Sequence, residues 1–190
     1  MSDIEIEIKV KVAHADRLEA YLGKHGTPTG EGDQKDDYYT PAHRNFMDKN
    51  PVEEWFRIRG TDSGKLTYKR WHFDEAGHSN YCDEYESGVD DVGQMRKILA
   101  ALNFEFLVTV EKHRRTWMWG DYEVAIDAVA NLGDFVEVEY KGTAVGADPA
   151  KITRDMVEFL KSAGCTDIQR SHSGYPFALL HPEKQEFVPV

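Results

Sequence analysis

The sequence predicts an α+β fold made mainly of antiparallel strands, on three observations. Eight segments alternate with the two-residue period of strands. Only three long segments show helical spacing. Several neighbouring strand segments are joined by turns too short for a parallel return. A chain of 190 residues with 41% hydrophobic and 12% aromatic residues reads as one globular domain spanning 1–190.

The first strand is "DIEIEIKVKV", residues 3–12. Ile4, Ile6, Ile8, Val10 and Val12 fall on one face, and Glu5, Glu7, Lys9 and Lys11 on the other. A helix follows in "HADRLEAYLGKHG", with Leu18, Tyr21 and Leu22 at helical spacing and Gly26 as its stop. "KDDYYTP" (35–41) is a short strand ended by Pro41. "EEWFRIRG" (53–60) and "KLTYKRW" (65–71) form a hairpin across "TDSG". "HFDEAGHS" is a longer turn leading into the strand "NYCDEYESGV" (80–89).

The second helix is "DDVGQMRKILAALNF" (90–104), with Val92, Met95, Ile98, Leu99 and Leu102 as its apolar stripe. Three further strands follow at 106–119, 122–129 and 135–142. The last helix starts at Asp148 and Pro149, buries Ile152, Met156, Val157 and Leu160, and ends at Gly164. Strands in this order close into a barrel or pack as a sandwich, and the pattern alone permits both.

Lys and Arg number 23 against 34 Asp and Glu, a net charge of −11. This balance argues against general binding to nucleic acid or anionic membranes. No run approaches the roughly 20 apolar residues of a membrane-spanning helix. The N-terminus does not read as a signal peptide. Cys82 and Cys165 are distant in sequence, so no disulfide framework is expected and a cytoplasmic location fits. A homodimer is compatible with the sequence.

Strand parity carries the functional signal. Glu5, Glu7, Lys9 and Lys11 share a face. So do Arg57 with Arg59, Lys65 with Lys69, Glu84 with Glu86, Lys112 with Arg114, Glu123 with Asp127, and Glu137 with Glu139. One such face is ordinarily a wet sheet surface with cross-strand ion pairs. Seven of them suggest a shared lining, where acids and bases need partners or a ligand. A triphosphate with Mg²⁺ or Mn²⁺ meets both needs, because Lys and Arg bind phosphate oxygens and carboxylates hold hard cations. There is no G-x-x-x-x-G-K-[ST] loop, so phosphate binding is not of the P-loop kind.

These segments resemble the CYTH superfamily, the triphosphate tunnel metalloenzymes. "EIEIK" fits its E-x-E-x-K signature. "WFRIRG", "LTYK", "DEYES", "VEKHRRTW" and "VAIDAVANLGDFVEVEY" are similar, in order, to its later blocks. "SGYPFALL" resembles its C-terminal segment with one extra residue, which leaves Ser173 and Tyr175 without an assigned role.

The resemblance implies an eight-stranded antiparallel closed β-barrel, a triphosphate tunnel, with helices packed outside. It implies Glu5, Glu7, Glu137 and Glu139 as ligands of Mg²⁺ or Mn²⁺, and Lys9, Arg57, Arg59, Lys69, Lys112 and Arg114 as the triphosphate-binding set. Glu5, Glu7, Lys9, Asp127 and Glu137 are the expected catalytic group. Lys11, Lys65 and Arg115 read as salt-bridge partners or mouth residues, and Glu84 and Glu86 as supports for the bases. His72 and His78 lie in a turn at a spacing that fits no common zinc pattern. The four tryptophans read as strand packing.

The branch most resembled is the class IV adenylyl cyclases, which implies conversion of ATP to 3′,5′-cyclic AMP and pyrophosphate. The alternative is hydrolysis of inorganic tripolyphosphate, thiamine triphosphate or a nucleoside triphosphate. A third reading is a non-catalytic sensor of polyphosphate or nucleotide, against which the intact carboxylates count. The expected partner is a small-molecule triphosphate, with no nucleic acid and no membrane.

Overall fold

The computed structural model describes residues 4–75, 77–143 and 146–190. Asp3, where the first strand pattern begins, and Ala76, within the turn after the hairpin, lie outside the described residues. The elements in order are β1 (Ile4–Glu5), β2 (Glu7–Ala13), α1 (Ala15–His25), β3 (Thr27–Pro41), β4 (Glu54–Gly60), β5 (Gly64–Phe73), β6 (Ser79–Val89), α2 (Val92–Ala101), β7 (Phe104–Trp119), β8 (Tyr122–Val129), β9 (Gly133–Tyr140), α3 (Pro149–Ser162), β10 (Thr166–Ser171), α4 (Tyr175–Leu180) and β11 (Phe187–Pro189).

Every strand pairing is antiparallel, as the short turns require. The expected eight-stranded closed barrel is not what forms. The described strands make one eleven-stranded sheet in the order β1-β6-β5-β4-β3-β7-β8-β9-β2-β10-β11, and its ladder does not close. The reason lies in the opening strand. Its first two residues pair with β6, Ile4 opposite Asp83 and Glu5 opposite Cys82. Beyond Ile6, β2 pairs with β9 on one edge and with β10 on the other. A strand has two edges, so β10 takes the place beside β2 that β6 would need to seal the ring.

Two further departures concern strand length and the C-terminal segment. β3 begins at Thr27, eight residues before the expected start, because β7 pairs with it from Met118 to Phe104 and carries "TPTGEGDQ" into the ladder. That stretch has poor strand propensity, and the pairing overrides it. β10, α4 and β11 fall where the pattern predicts no regular element. At six, six and three residues, each is too short to set a period.

The helices follow their caps. The Asp148 side chain accepts from the Ala150 amide at 3.0 Å, with Pro149 in the first turn of α3. Asp91 caps α2 by accepting from the Gln94 amide at 2.8 Å. The core lies between one sheet face and two helices. Ile6, Ile8, Val10, Val124, Val136 and Val138 pack on Leu18 and Leu22 of α1 and on Met156 and Leu160 of α3. Each such side chain contributes about 1.5–3 kcal/mol by leaving water. A smaller cluster seats Val92 and Leu99 of α2 against Ile58, Tyr39 and Val89. Because side chains alternate, this packing turns Glu7, Lys9 and Glu137 to the opposite face. Among the described residues, no helix is long and apolar enough to cross a membrane.

Candidate functional site

The sheet face away from α1 and α3 encloses a cavity of about 660 Å³. Glu7, Lys9, Arg57, Lys69, Lys112 and Glu137 line it, contributed by β2, β4, β5, β7 and β9. Register explains the convergence. Lys9 stands opposite Glu137 across β2 and β9, and small Ala125 beside Glu137 on β8 leaves room for both.

The cations are held by a few buried acids. Asp36, 1% exposed, accepts from Arg57 Nη1 at 3.1 Å and takes both Arg59 Nε and Nη2, at 2.7 and 2.8 Å. Burial opposes its charge, but the two guanidiniums hold Asp36 below the usual carboxylate range. Arg57 Nε is buried without a hydrogen-bond partner, an open donor on a cavity-lining side chain. Asp127, fully buried, accepts from Lys112 Nζ at 3.0 Å, from Arg114 Nε and Nη2 at 2.6 Å each, and from the Tyr175 hydroxyl at 2.9 Å. Arg114 also bonds Glu137. Lys9 Nζ lies 3.0 Å from Glu137 and 4.0 Å above the Tyr175 ring. Burial, with Arg114 and Arg59 beside it, pushes Lys112 down to about 8 against the pull of Glu137 and Asp127.

The acids cluster on the other side of Lys9. Lys69 Nζ stands 2.5 Å from Glu5, 3.4 Å from Glu7 and 3.8 Å from Glu84. Burial works against its charge, and Glu5 and Glu7 outweigh that to hold Lys69 well above its ordinary value. These carboxylates still lack enough positive charge. Burial, with Glu5 and Glu137 nearby, raises Glu7. Burial and Glu5 push Glu139 up to about 8, although Lys141 pairs with it at 2.5 Å.

The four expected metal ligands are therefore neighbours but not a gathered cluster. Among the described residues, no three His, Cys, Asp or Glu side chains converge as a metal-ligand group. The ammonium of Lys69 stands among two of them, Glu5 and Glu7, and Glu84 instead. The donor set nevertheless fits a hard divalent ion in kind, because it consists of carboxylate oxygens. Glu137 is already paired with Lys9 and Arg114, which hold it well below the usual carboxylate range against the effect of burial.

The other expectations sort cleanly. Arg59, Arg114, Glu5, Asp127 and Glu139 do not line the cavity. Arg114, Glu5 and Asp127 each bind a residue that does, Arg59 shares Asp36 with the lining residue Arg57, and Glu139 pairs with Lys141. Lys11 reaches the Leu132 carbonyl at 3.3 Å and lies over Phe135 and Phe187. Lys65 pairs with Glu86, and Arg115 with Glu19. His72 pairs with Asp83 at 2.9 Å. Ser173 lines the cavity, and its carbonyl accepts from the Ser171 hydroxyl. Trp117 and Trp119 pack in the core, whereas Trp55 and Trp71 line the cavity, which corrects their assignment to strand packing alone. Asp36, Tyr38, Tyr175 and His172 belong to the site without having been expected there. For Asp36 and Tyr38 the signal was present, since alternation in "KDDYYTP" places both on one face.

A family model described as the CYTH domain matches residues 3–175. The chain belongs to the CYTH family. This CYTH chain is 30% identical over 161 residues to a "Putative adenylate cyclase" of Methanocaldococcus jannaschii, covering 84% of this chain and 89% of that protein. Its fold is similar to that of PH1819 from Pyrococcus horikoshii, at 24% identity and a TM-score of 0.77, covering 94% and 99% of the two chains. It is also similar to HpAC1 from Hippeastrum, at 21% identity and a TM-score of 0.61, covering 95% and 96%. CYTH membership accounts for the order of charged strands along the sequence.

Proposed function

We propose that this CYTH protein is a metal-dependent enzyme acting on ATP, converting it to 3′,5′-cyclic AMP and pyrophosphate. The observation that carries this reading is a single cavity with two unbalanced ends of opposite sign. At one end five cations, Lys9, Arg57, Arg59, Lys112 and Arg114, share three acids, Asp36, Asp127 and Glu137. At the other, the ammonium of Lys69 is shared by three acids, Glu5, Glu7 and Glu84. A polyphosphate answers the first and a divalent cation the second.

Lys9, Arg57 and Lys112 line the cavity and would bind phosphate oxygens, a reading supported by the buried Arg57 Nε that lacks a partner. Asp36 and Asp127 hold the cavity-lining Arg57 and Lys112 in place, so charge built up on a leaving pyrophosphate would meet fixed donors. Glu5, Glu7, Glu137 and Glu139 would hold Mg²⁺ or Mn²⁺. When bound, the ion neutralises phosphate charge and lowers the pKa of the attacking hydroxyl. In the reaction the ribose 3′-oxygen bonds to the α-phosphorus as the bond to the β-phosphate breaks. The hydroxyl proton passes to a cavity carboxylate. The name of the archaeal relative supports this choice among triphosphate reactions.

Incubation with ATP and Mn²⁺, with all products resolved, tests it. Cyclic AMP and pyrophosphate are expected in equal amounts. Orthophosphate alone would overturn cyclisation and favour a second reading, hydrolysis in the same cavity. That reading has its own support, because HpAC1 is described as having a dominant triphosphatase activity.

A further inference from the structure

The cavity extends beyond the phosphate-binding side chains toward the turn between β5 and β6. Phe73 is four residues along β5 from Lys69, about 13 Å at the rise of a strand. Trp71, Phe73, His78, Ser79, His172 and Phe177 line this end. The charged residues of the phosphate end give way to flat rings and small polar groups, the surface expected for a planar heteroaromatic group.

His172, immediately after β10, is held in one protonation form by its neighbours. Its Nδ1 lies 3.3 Å from the Ser79 amide nitrogen and 3.2 Å from the Ser79 hydroxyl. A backbone N–H can only donate, so Nδ1 is the acceptor and the ring proton sits on Nε2. Arg170 Nη2 donates to the Ser79 carbonyl at 2.8 Å, so Ser79 is fixed through both backbone groups. His78 stacks on the His172 ring at 4.6 Å between centroids and 22° between planes. Burial, with Arg170 and His78 nearby, brings His172 down to about 4, so it is neutral at neutral pH.

We infer that His172 is a specificity-determining residue whose Nε2–H donates to an acceptor on the heteroaromatic group of an organic triphosphate, which makes nucleoside triphosphates, not inorganic tripolyphosphate, the preferred substrate class. The inference rests on the cavity binding triphosphate. Ser79 and Arg170 act as positioning residues that hold the tautomer and the ring. The stacked His78 and the rings of Trp71, Phe73 and Phe177 supply the apolar faces.

The test compares kcat/KM for the four ribonucleoside triphosphates and for inorganic tripolyphosphate in wild type, His172→Phe and His172→Gln. Phe keeps a flat ring and removes the donor. Gln restores an N–H donor at similar reach. Wild type is expected to prefer at least one nucleotide over tripolyphosphate. His172→Phe is expected to lower that preference about tenfold, the scale of one lost hydrogen bond. His172→Gln is expected to recover much of it. Equal loss on both substrates, or no loss on the preferred nucleotide, would overturn the inference. So would a wild type that favours tripolyphosphate, while leaving the triphosphate reading intact. A wild type that turns over none of the five would remove both.

Discussion

The hydroxyl of Tyr175 donates to Oδ2 of Asp127 at 2.9 Å, and its ring lies under Lys9 at 4.0 Å and Lys112 at 5.1 Å. One side chain from α4 thus touches an acid and two cations that β2, β7 and β8 deliver separately. Tyr175→Phe should keep the ring contacts and lose only the hydroxyl, whereas Tyr175→Ala loses both. Each cation–π contact is worth about 0.5–2 kcal/mol. The Ala variant should therefore raise KM for the triphosphate roughly ten- to thirtyfold, and the Phe variant several-fold less. Steady-state kinetics on the two variants checks the order. A Phe variant as impaired as Ala would show that the ring contributes nothing.

Asp127 is the shared acceptor for Lys112, Arg114 and Tyr175 and is fully buried. Asp127→Asn leaves their donors facing a neutral amide. Breaking a buried ion pair from one side costs about 3–5 kcal/mol, which should appear as a lower urea midpoint. The freed cations are the ones that phosphate would bind, so tripolyphosphate should restore more stability to the variant than it adds to wild type. An Asn variant with an unchanged midpoint would mean that Asp127 is not the hub of this cluster.

Chelation should abolish turnover, and Mn²⁺ should restore it. Glu7→Gln removes one carboxylate from the uncompensated group and should raise the Mn²⁺ concentration for half-activity by at least about tenfold. Activity measured across a Mn²⁺ titration reads this directly. An unshifted curve would remove Glu7 from the metal set.

His172 titrates near 4 in the fold, below its ordinary value of 6.5. The native state then binds fewer protons than the unfolded state between those values, so stability present above pH 6.5 is lost as pH falls through about 4. Arg170, His78, Asp74 and Ser79 are the groups that face the ring. Melting temperatures recorded from pH 7 to 4 should fall less steeply in His172→Phe than in wild type. Parallel curves would show that the ring titrates normally.

The core makes a simpler expectation. Leu160 is fully buried between α3 and the sheet. Leu160→Ala should cost about 2–5 kcal/mol in urea unfolding without moving KM, since α3 packs on the sheet face away from the cavity.

Much of this molecule was legible in its sequence because alternation is a local property. The charges of Glu7, Lys9, Lys69, Lys112 and Glu137 could be assigned to one face from parity alone, and they do meet in one cavity. What parity cannot express is which strand edge a segment occupies. Ile6 divides the opening strand between β6 and β9, and no local feature of "IEIEIK" marks that exchange. β10 escaped notice for a related reason. It is six residues long, and only pairing with β2 and β11 makes it a strand. His172 and Tyr175 sit in a segment with no period, so their place in the cavity follows from tertiary contacts. Trp55 and Trp71 share parity with Arg57 and Lys69, and that clue pointed inward.

The strand Glu7–Ala13 is separated from both its neighbours, β9 and β10, by the greater part of the sheet's other strands in sequence. Glu7 and Lys9 therefore have nothing to line until those later strands are made. Pairings that distant in sequence form late and slowly. A nascent or truncated chain lacking β10 would hold the cations and carboxylates without the walls that bring them together. For this protein, assembling the charged cavity and completing the fold should be a single event.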